Sequence, residues 1–174
     1  TEAQLSNAMD AYGSTVYRLA LTRMQNIADA EDVYQEVFLR LWKQAAEDWD
    51  GDRAKAWLIR TTLNCCADLH RFHLRRPVLS FAEIPDLAQP EDESRELWEA
   101  VSRLPEKART AVHLYYAEGY SAEEISQLMH IPAATVRTRL HRARKQLKEL
   151  LGGIDDETCV SRSDGTNFGP QRAE

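Results

Sequence analysis

Apolar positions recur along most of this chain at the three- and four-residue intervals of α-helices, and strand-like alternation is absent. The pattern predicts a first helix over about Leu5–Gln25, a second from near Asp29 to about Glu47, and a third over about Ala54–Phe72. A short acidic stretch with a glycine, Asp48–Asp52, separates the second from the third. Between Pro77 and Ser94 the periodicity fails. Pro77, Pro85 and Pro90 stand among acids there, and prolines at that density forbid a continuous helix. Helical periodicity resumes at about Arg95 and continues to Leu151, where Gly152-Gly153 stops it. Residues 152–174 are polar and unpatterned, which predicts disorder. The expected fold is all-α: two small helical domains, residues 1–76 and 95–151, joined by a proline-containing acidic linker over residues 77–94. Each domain is near the lower size limit for independent folding, so a binding partner is expected to stabilise it.

The C-terminal segment is the more legible of the two. Ser121 followed by Glu124 is a capping box, and Gly119 suits the turn before it. The helix so opened runs to about Met129. Ile131-Pro132 then breaks it, because a residue preceding proline avoids the helical region, and another helix starts near Ala133. In that last helix Val136, Leu140, Ala143, Leu147 and Leu150 share one side. Thr138, His141, Arg142 and Lys145 hold the opposite side, with Arg137, Arg144 and Lys148 along a flank and Arg139 leaning toward the core edge. The competing reading is a merely solvated basic face. The capped helix, the break and the absence of acids favour a helix-turn-helix, as in the expected C-terminal domain, whose second helix enters a DNA major groove. Arginines there read guanine edges, and Lys145 and Lys148 meet phosphates.

In the N-terminal segment Asp29 is placed to cap the second helix, with the acids of Ala30-Glu31-Asp32 in its first turn. Val33, Tyr34, Val37, Phe38, Leu41 and Ala45 form its core face. The opposite face carries Asp32, Gln35, Glu36 and Leu39, which is either a protein-docking surface or an ordinary solvated one. The third helix has Leu58, Ile59, Thr62, Cys66 and Leu69 on its buried side and Trp57, Thr61, Asn64, Asp68 and Arg71 on the other. Trp57 either stacks on an unpaired base or packs beneath the linker or another helix. A basic end follows, His70, Arg71, His73, Arg75 and Arg76, suited to phosphates.

Composition narrows the function classes. The 174 residues carry a net charge of −6, which argues against a chain-wide coat for DNA, but charge is segregated. Glu83 to Glu99 holds seven acids against Arg95 alone, and Arg137 to Lys148 holds six bases and no acid. The three cysteines, Cys65, Cys66 and Cys159, match no zinc spacing, so no metal or other cofactor is expected. No apolar run is long enough to span a membrane, and Thr1 to Asp10 lacks the order of a secretion signal, so a reducing cytoplasm is the expected location. A glycine-rich phosphate loop, a paired zinc-binding histidine motif and a nucleophile motif are all missing, so an enzyme is not expected. His113, His130 and His141 are dispersed and read as surface or packing residues.

Four stretches carry a resemblance: DAEDVYQEVFLRLW (Asp29–Trp42), AWLIRTTLNCCAD (Ala56–Asp68), LPEKARTAVHLYYAEGYSAEEIS (Leu104–Ser126) and TVRTRLHRARKQL (Thr135–Leu147). Together, over about Met9–Leu151, the chain resembles the extracytoplasmic-function (ECF, group 4) sigma factors, the minimal two-domain sigma subunits of bacterial RNA polymerase in the sigma-70 family. The resemblance implies a transcription initiation factor without covalent chemistry of its own. It implies that Asp32, Gln35, Glu36 and Leu39 dock on the beta-prime clamp helices of core polymerase, and that the second domain meets the beta flap. It implies that Trp57, Arg60, Asn64, Arg71, Arg75 and Arg76 serve the melted minus-ten element, with Asn64 in the pocket for a flipped base. It places Arg137, Thr138, His141, Arg142, Arg144, Lys145 and Lys148 on the minus-thirty-five element. The acidic linker would pass near the active-site channel, and an anti-sigma protein would control the whole. The alternative is a stand-alone helix-turn-helix regulator that needs no polymerase.

Overall fold

The computed structural model describes residues 2–44, 51–75 and 92–152. Within them all regular structure is helical: α1 (Glu2–Met24), α2 (Ile27–Lys43), α3 (Gly51–Arg75), α4 (Asp92–Ser102), α5 (Glu106–Val112), a π-helical turn (His113–Ala117), α6 (Ala122–Met129) and α7 (Ala133–Leu150). The expected all-α class is the observed one. The expectations for the acidic linker, the tail, Arg76, Ala45 and Cys159 fall largely or wholly outside the described residues.

Several boundaries differ from expectation, each for a local reason. Asp29 does not cap α2. Asn26 does: its extended backbone leaves the side-chain oxygen free to accept from Asp29 N at 3.0 Å. Asp29 is therefore already inside the helix, and its carboxylate meets His73 Nε2 at 3.1 Å, tying the start of α2 to the end of α3. α2 stops at Lys43, short of Glu47, where Gln44 N donates to both Arg40 O and Leu41 O at 3.1 Å. α3 is longer than its apolar stripe because nothing before Pro77 disfavours helix; it ends at Arg75, just ahead of the residue that the proline restricts.

Two hydrophobic cores form. The first joins Val16, Ala20, Leu21 and Met24 of α1 to Ala30, Val33, Val37 and Phe38 of α2 and to Leu58, Cys65 and Cys66 of α3. Gly13 permits the close α1–α2 approach, since a Cβ there would lie 3.0 Å from the Tyr34 hydroxyl. The second core gathers Leu104, Ala111, Leu114, Ile125, Leu128, Val136, Leu140 and Ala143, and it also takes in Leu19 of α1 and Ile59 and Leu63 of α3. Each of the fully buried leucines and isoleucines contributes roughly 1.5–3 kcal/mol. The expectation of a single buried side on α3 is thus incomplete. Thr61, read as polar-facing, is 7% exposed, because α3 is packed on two sides. Leu150, read as part of α7's apolar side, is exposed instead; it lies past the last residue that α7 packs.

Candidate polymerase and nucleic-acid interfaces

The helix-turn-helix is built largely as its sequence requires. Ser121 Oγ accepts from Glu124 N at 3.2 Å while Glu124 Oε2 accepts from Ser121 N at 2.8 Å, a complete capping box. Gly119 adopts φ +75°, a left-handed turn residue. His130 ends α6 at φ 53°, an uncommon conformation for a residue with a Cβ, and Pro132 then starts α7 with its own φ of −59°. Val136, Leu140 and Ala143 are buried, which fixes the rotation of α7 about its axis. Thr138, His141, Arg142, Lys145 and Lys148 consequently face solvent.

Not every basic residue of α7 is equally available. Arg137 pairs with Glu123 of α6. Arg144 Nε donates to the Tyr116 hydroxyl at 2.6 Å, and its guanidinium lies 5.8 and 5.9 Å from the Tyr115 and Tyr116 ring centres. Arg144 is therefore oriented by the π-helical turn, a role that the sequence reading missed. The adjacent tyrosines Tyr115 and Tyr116 within that turn were its signal. In that turn Glu118 N bonds His113 O, five residues back, at 3.2 Å.

On α3, Arg60, Asn64, Arg71 and Arg75 are exposed and share one stripe about 22 Å long. Arg71 is ion-paired with Asp68 on the same stripe. Trp57 borders it but is half-buried, packed against the first core, so the packing alternative describes this side chain. Phe72 and Leu74 at the end of the helix are 50% and 84% exposed.

On α2, Asp32, Gln35 and Leu39 face solvent and Glu36 is half-buried. Glu36 Oε1 accepts from Arg40 Nε at 2.7 Å, and Arg40 extends to Asp68 Oδ2 of α3 at 3.8 Å. Trp42 continues the same face three residues beyond Leu39; the two are 51% and 46% exposed. The sequence reading passed over Trp42, although an exposed leucine three residues earlier marked the stripe. A groove of about 470 Å³ lined by Gly13, Ser14, Tyr17, Glu31, Tyr34 and Gln35 borders this face.

Among the described residues no cluster of histidine, cysteine and carboxylate side chains is arranged to hold a metal. Burial pushes the Cys65 and Cys66 thiols up to about 11 and about 12, so they are poor nucleophiles. No described helix is long and apolar enough to cross a membrane.

Comparison with known proteins agrees with this arrangement. The family model for sigma-70 region 2 matches residues 8–76, and that for sigma-70, region 4 matches residues 94–147. The ECF RNA polymerase sigma factor SigM of Bacillus subtilis is 32% identical over 155 residues, covering 84% of this chain and 94% of that protein. The ECF RNA polymerase sigma factor SigE of Mycolicibacterium smegmatis is 34% identical over 161 residues, covering 86% of this chain. The match takes in only 62% of that longer protein. Among solved structures, the sigma factor RpoE of Bartonella quintana, crystallised with the anti-sigma factor NepR, has a similar fold. Its TM-score is 0.69 at 24% identity, covering 87% of this chain and 96% of that one. With both regions in order and SigM matched along 94% of its length, the chain belongs to the ECF sigma factors of the sigma-70 family.

Proposed function

We propose that this protein is a transcription initiation factor that docks on core RNA polymerase and directs it to specific promoters. The α2 face of Asp32, Gln35, Glu36 and Leu39, extended by Trp42, is the polymerase-docking surface. The α3 stripe of Arg60, Asn64, Arg71 and Arg75, continued by Arg76 and bordered by Trp57, receives the minus-ten element and favours its opening. The α6–α7 helix-turn-helix reads the minus-thirty-five element through Arg137, Thr138, His141 and Arg142, with Arg144, Lys145 and Lys148 on the phosphates. In this reading residues 1–76 and 95–151 are the two functional units, residues 77–94 link them, and residues 152–174 follow as a tail. The polymerase, not this chain, forms the bonds of the transcript, and the site of action is the cytoplasm. An anti-sigma protein is the expected regulator, by analogy with the Bartonella relative.

The observation that carries this reading is α7. One side is anchored by Val136, Leu140 and Ala143, and the other offers a polar face with no acid between Arg137 and Lys148, behind a fully capped helix. Run-off transcription with purified core polymerase tests it. Promoter-directed transcripts are expected only when both chain and core are present. Equally tight and specific promoter binding by the free chain, with no effect of core, would instead establish the stand-alone regulator. Charge reversal at Asp32 and Glu36 separates the two readings further, since it abolishes polymerase binding only in the first.

A further inference from the structure

The basic flank of α7 is not a row of equivalent side chains. Arg137 and Arg144 both lie on it, two turns apart, and their surroundings differ. Arg137 is balanced by the Glu123 carboxylate. Arg144 has no acid partner among the described residues and is seated instead in an aromatic corner. The corner comes from the π-helical turn, His113–Ala117. Glu118 N closes it on His113 O at 3.2 Å, a ring one residue wider than that of an α-helical turn. A wider turn narrows the angle between consecutive side chains, so Tyr115 and Tyr116 reach the same neighbour instead of diverging. Their ring centres are 4.9 Å apart and their planes cross at 75°. Tyr115 is half-buried and packs against the second core, which anchors the corner; Tyr116 is 54% exposed and forms its outer wall. The Arg144 guanidinium lies within cation–π range of both rings, at 5.8 and 5.9 Å. Its Nε donates to the Tyr116 hydroxyl at 2.6 Å.

We propose that Tyr116 is a positioning residue for DNA binding: its hydroxyl pins Arg144 so that the terminal nitrogens of the guanidinium grip one phosphate of the promoter. A guanidinium has N–H donors on Nε and on both terminal nitrogens. The tyrosine takes the Nε donor, and among the described residues the terminal nitrogens have no partner. What remains is the planar fork that binds a phosphate through two parallel hydrogen bonds. Its placement suits that use. Val136, Leu140 and Ala143 are buried and fix the rotation of α7, which puts Arg144 between the core side and the face of Thr138, His141 and Arg142. A helix lying in a major groove turns such a flank toward the phosphates of the groove wall. A free arginine side chain must be ordered when it binds, and that ordering weakens the complex. Here the corner has ordered it beforehand. Tyr116 acts through Arg144 alone and reads no base, so its contribution is the same for every promoter. The inference rests on the proposed entry of α7 into DNA and adds to it a residue outside the helix-turn-helix.

The test measures binding of the polymerase-bound full chain to a duplex promoter fragment that yields a run-off transcript, across a range of salt concentrations. Arg144→Ala should weaken binding about tenfold and lower the slope of log affinity against log salt by about one. Tyr116→Phe keeps both rings and removes only the hydroxyl. It should weaken binding about threefold, by the same factor when a base pair of the minus-thirty-five element is changed. In the Arg144→Ala background the same substitution should cost nothing further. Arg144→Lys should keep the native slope, because it keeps the charge, and should likewise be insensitive to Tyr116→Phe. In the free chain, nuclear magnetic resonance should show the Arg144 Nε–H exchanging with water more slowly than that of the exposed Arg142, and Tyr116→Phe should erase the difference. Circular dichroism of each variant separates loss of the grip from loss of the fold. A Tyr116→Phe complex that binds as tightly as the native one, a further loss in the Arg144→Ala background, or an unchanged salt slope in Arg144→Ala overturns the positioning role. A native chain that binds no promoter with polymerase present overturns the proposed function, and the inference falls with it.

Discussion

α3 and α7 are the two helices assigned to nucleic acid, and they are built on different principles. α7 is a two-sided helix: Val136, Leu140 and Ala143 are buried, and the opposite side is polar and basic. α3 is packed from two directions. Leu58, Cys65 and Cys66 enter the first core, Ile59 and Leu63 enter the second, and between its two ends the stripe through Arg60, Asn64 and Arg71 is left to solvent. A helix that serves one core keeps its functional face whatever its neighbours do. A helix shared between two cores has a face whose width depends on whether the halves are together.

The largest effects should come from core truncations that separate the two roles of α3. Leu58→Ala and Ile59→Ala should each cost about 2–5 kcal/mol. Leu58→Ala should lower the stability of the N-terminal half, while Ile59→Ala should also uncouple the halves, turning one denaturant transition into two. A single shared transition in both variants would mean that α3 does not divide its loyalties in this way.

Acid should next release the contact that Glu118 makes with Lys55 of the other half. The hydrogen bond with His113 and the Lys55 ammonium together hold the Glu118 carboxyl at about 2, well below its ordinary 4.5, against the opposing effect of burial. Because the folded value is the lower one, the contribution is complete above pH 4.5 and is lost as pH falls toward about 2. The depression corresponds to at most about 3 kcal/mol. The distance between the halves followed from pH 6 downward checks it, with Glu118→Gln expected to flatten the response.

Arg142→Ala should reduce promoter-specific transcription by about 1–3 kcal/mol of discrimination, roughly tenfold or more, with polymerase binding unchanged. Loss of polymerase binding in that variant would erase the contrast between α7 and the α2 face. The smallest effect is Ser121→Ala. Loss of the cap should cost about 1 kcal/mol, seen as a modest drop in the melting temperature of the C-terminal half, with α3 unaffected.

Legibility followed the same division. The capping box at Ser121, the break at Ile131-Pro132 and the two sides of α7 were all readable, because each is written within a few residues and the helical period repeats it. Leu39 was recognised as exposed for the same reason. Trp57 could not be settled, since an aromatic at the edge of a stripe packs or projects according to what lies beside it. Asp29 was misassigned because Asn26, a competing cap three residues earlier, has the same chemistry.

By itself, the order of amino acids determined the helical class, the turn chemistry, the caps and the polar face of α7, all of which depend on interactions between residues close in the chain. Only the tertiary structure decided that Arg109 caps the end of α1, that Glu118 joins Lys55 to His113, that Arg144 rests against Tyr115 and Tyr116, and that α3 lies in two cores. Those contacts join residues far apart in sequence, and a side chain's local spacing carries no record of which distant surface will cover it.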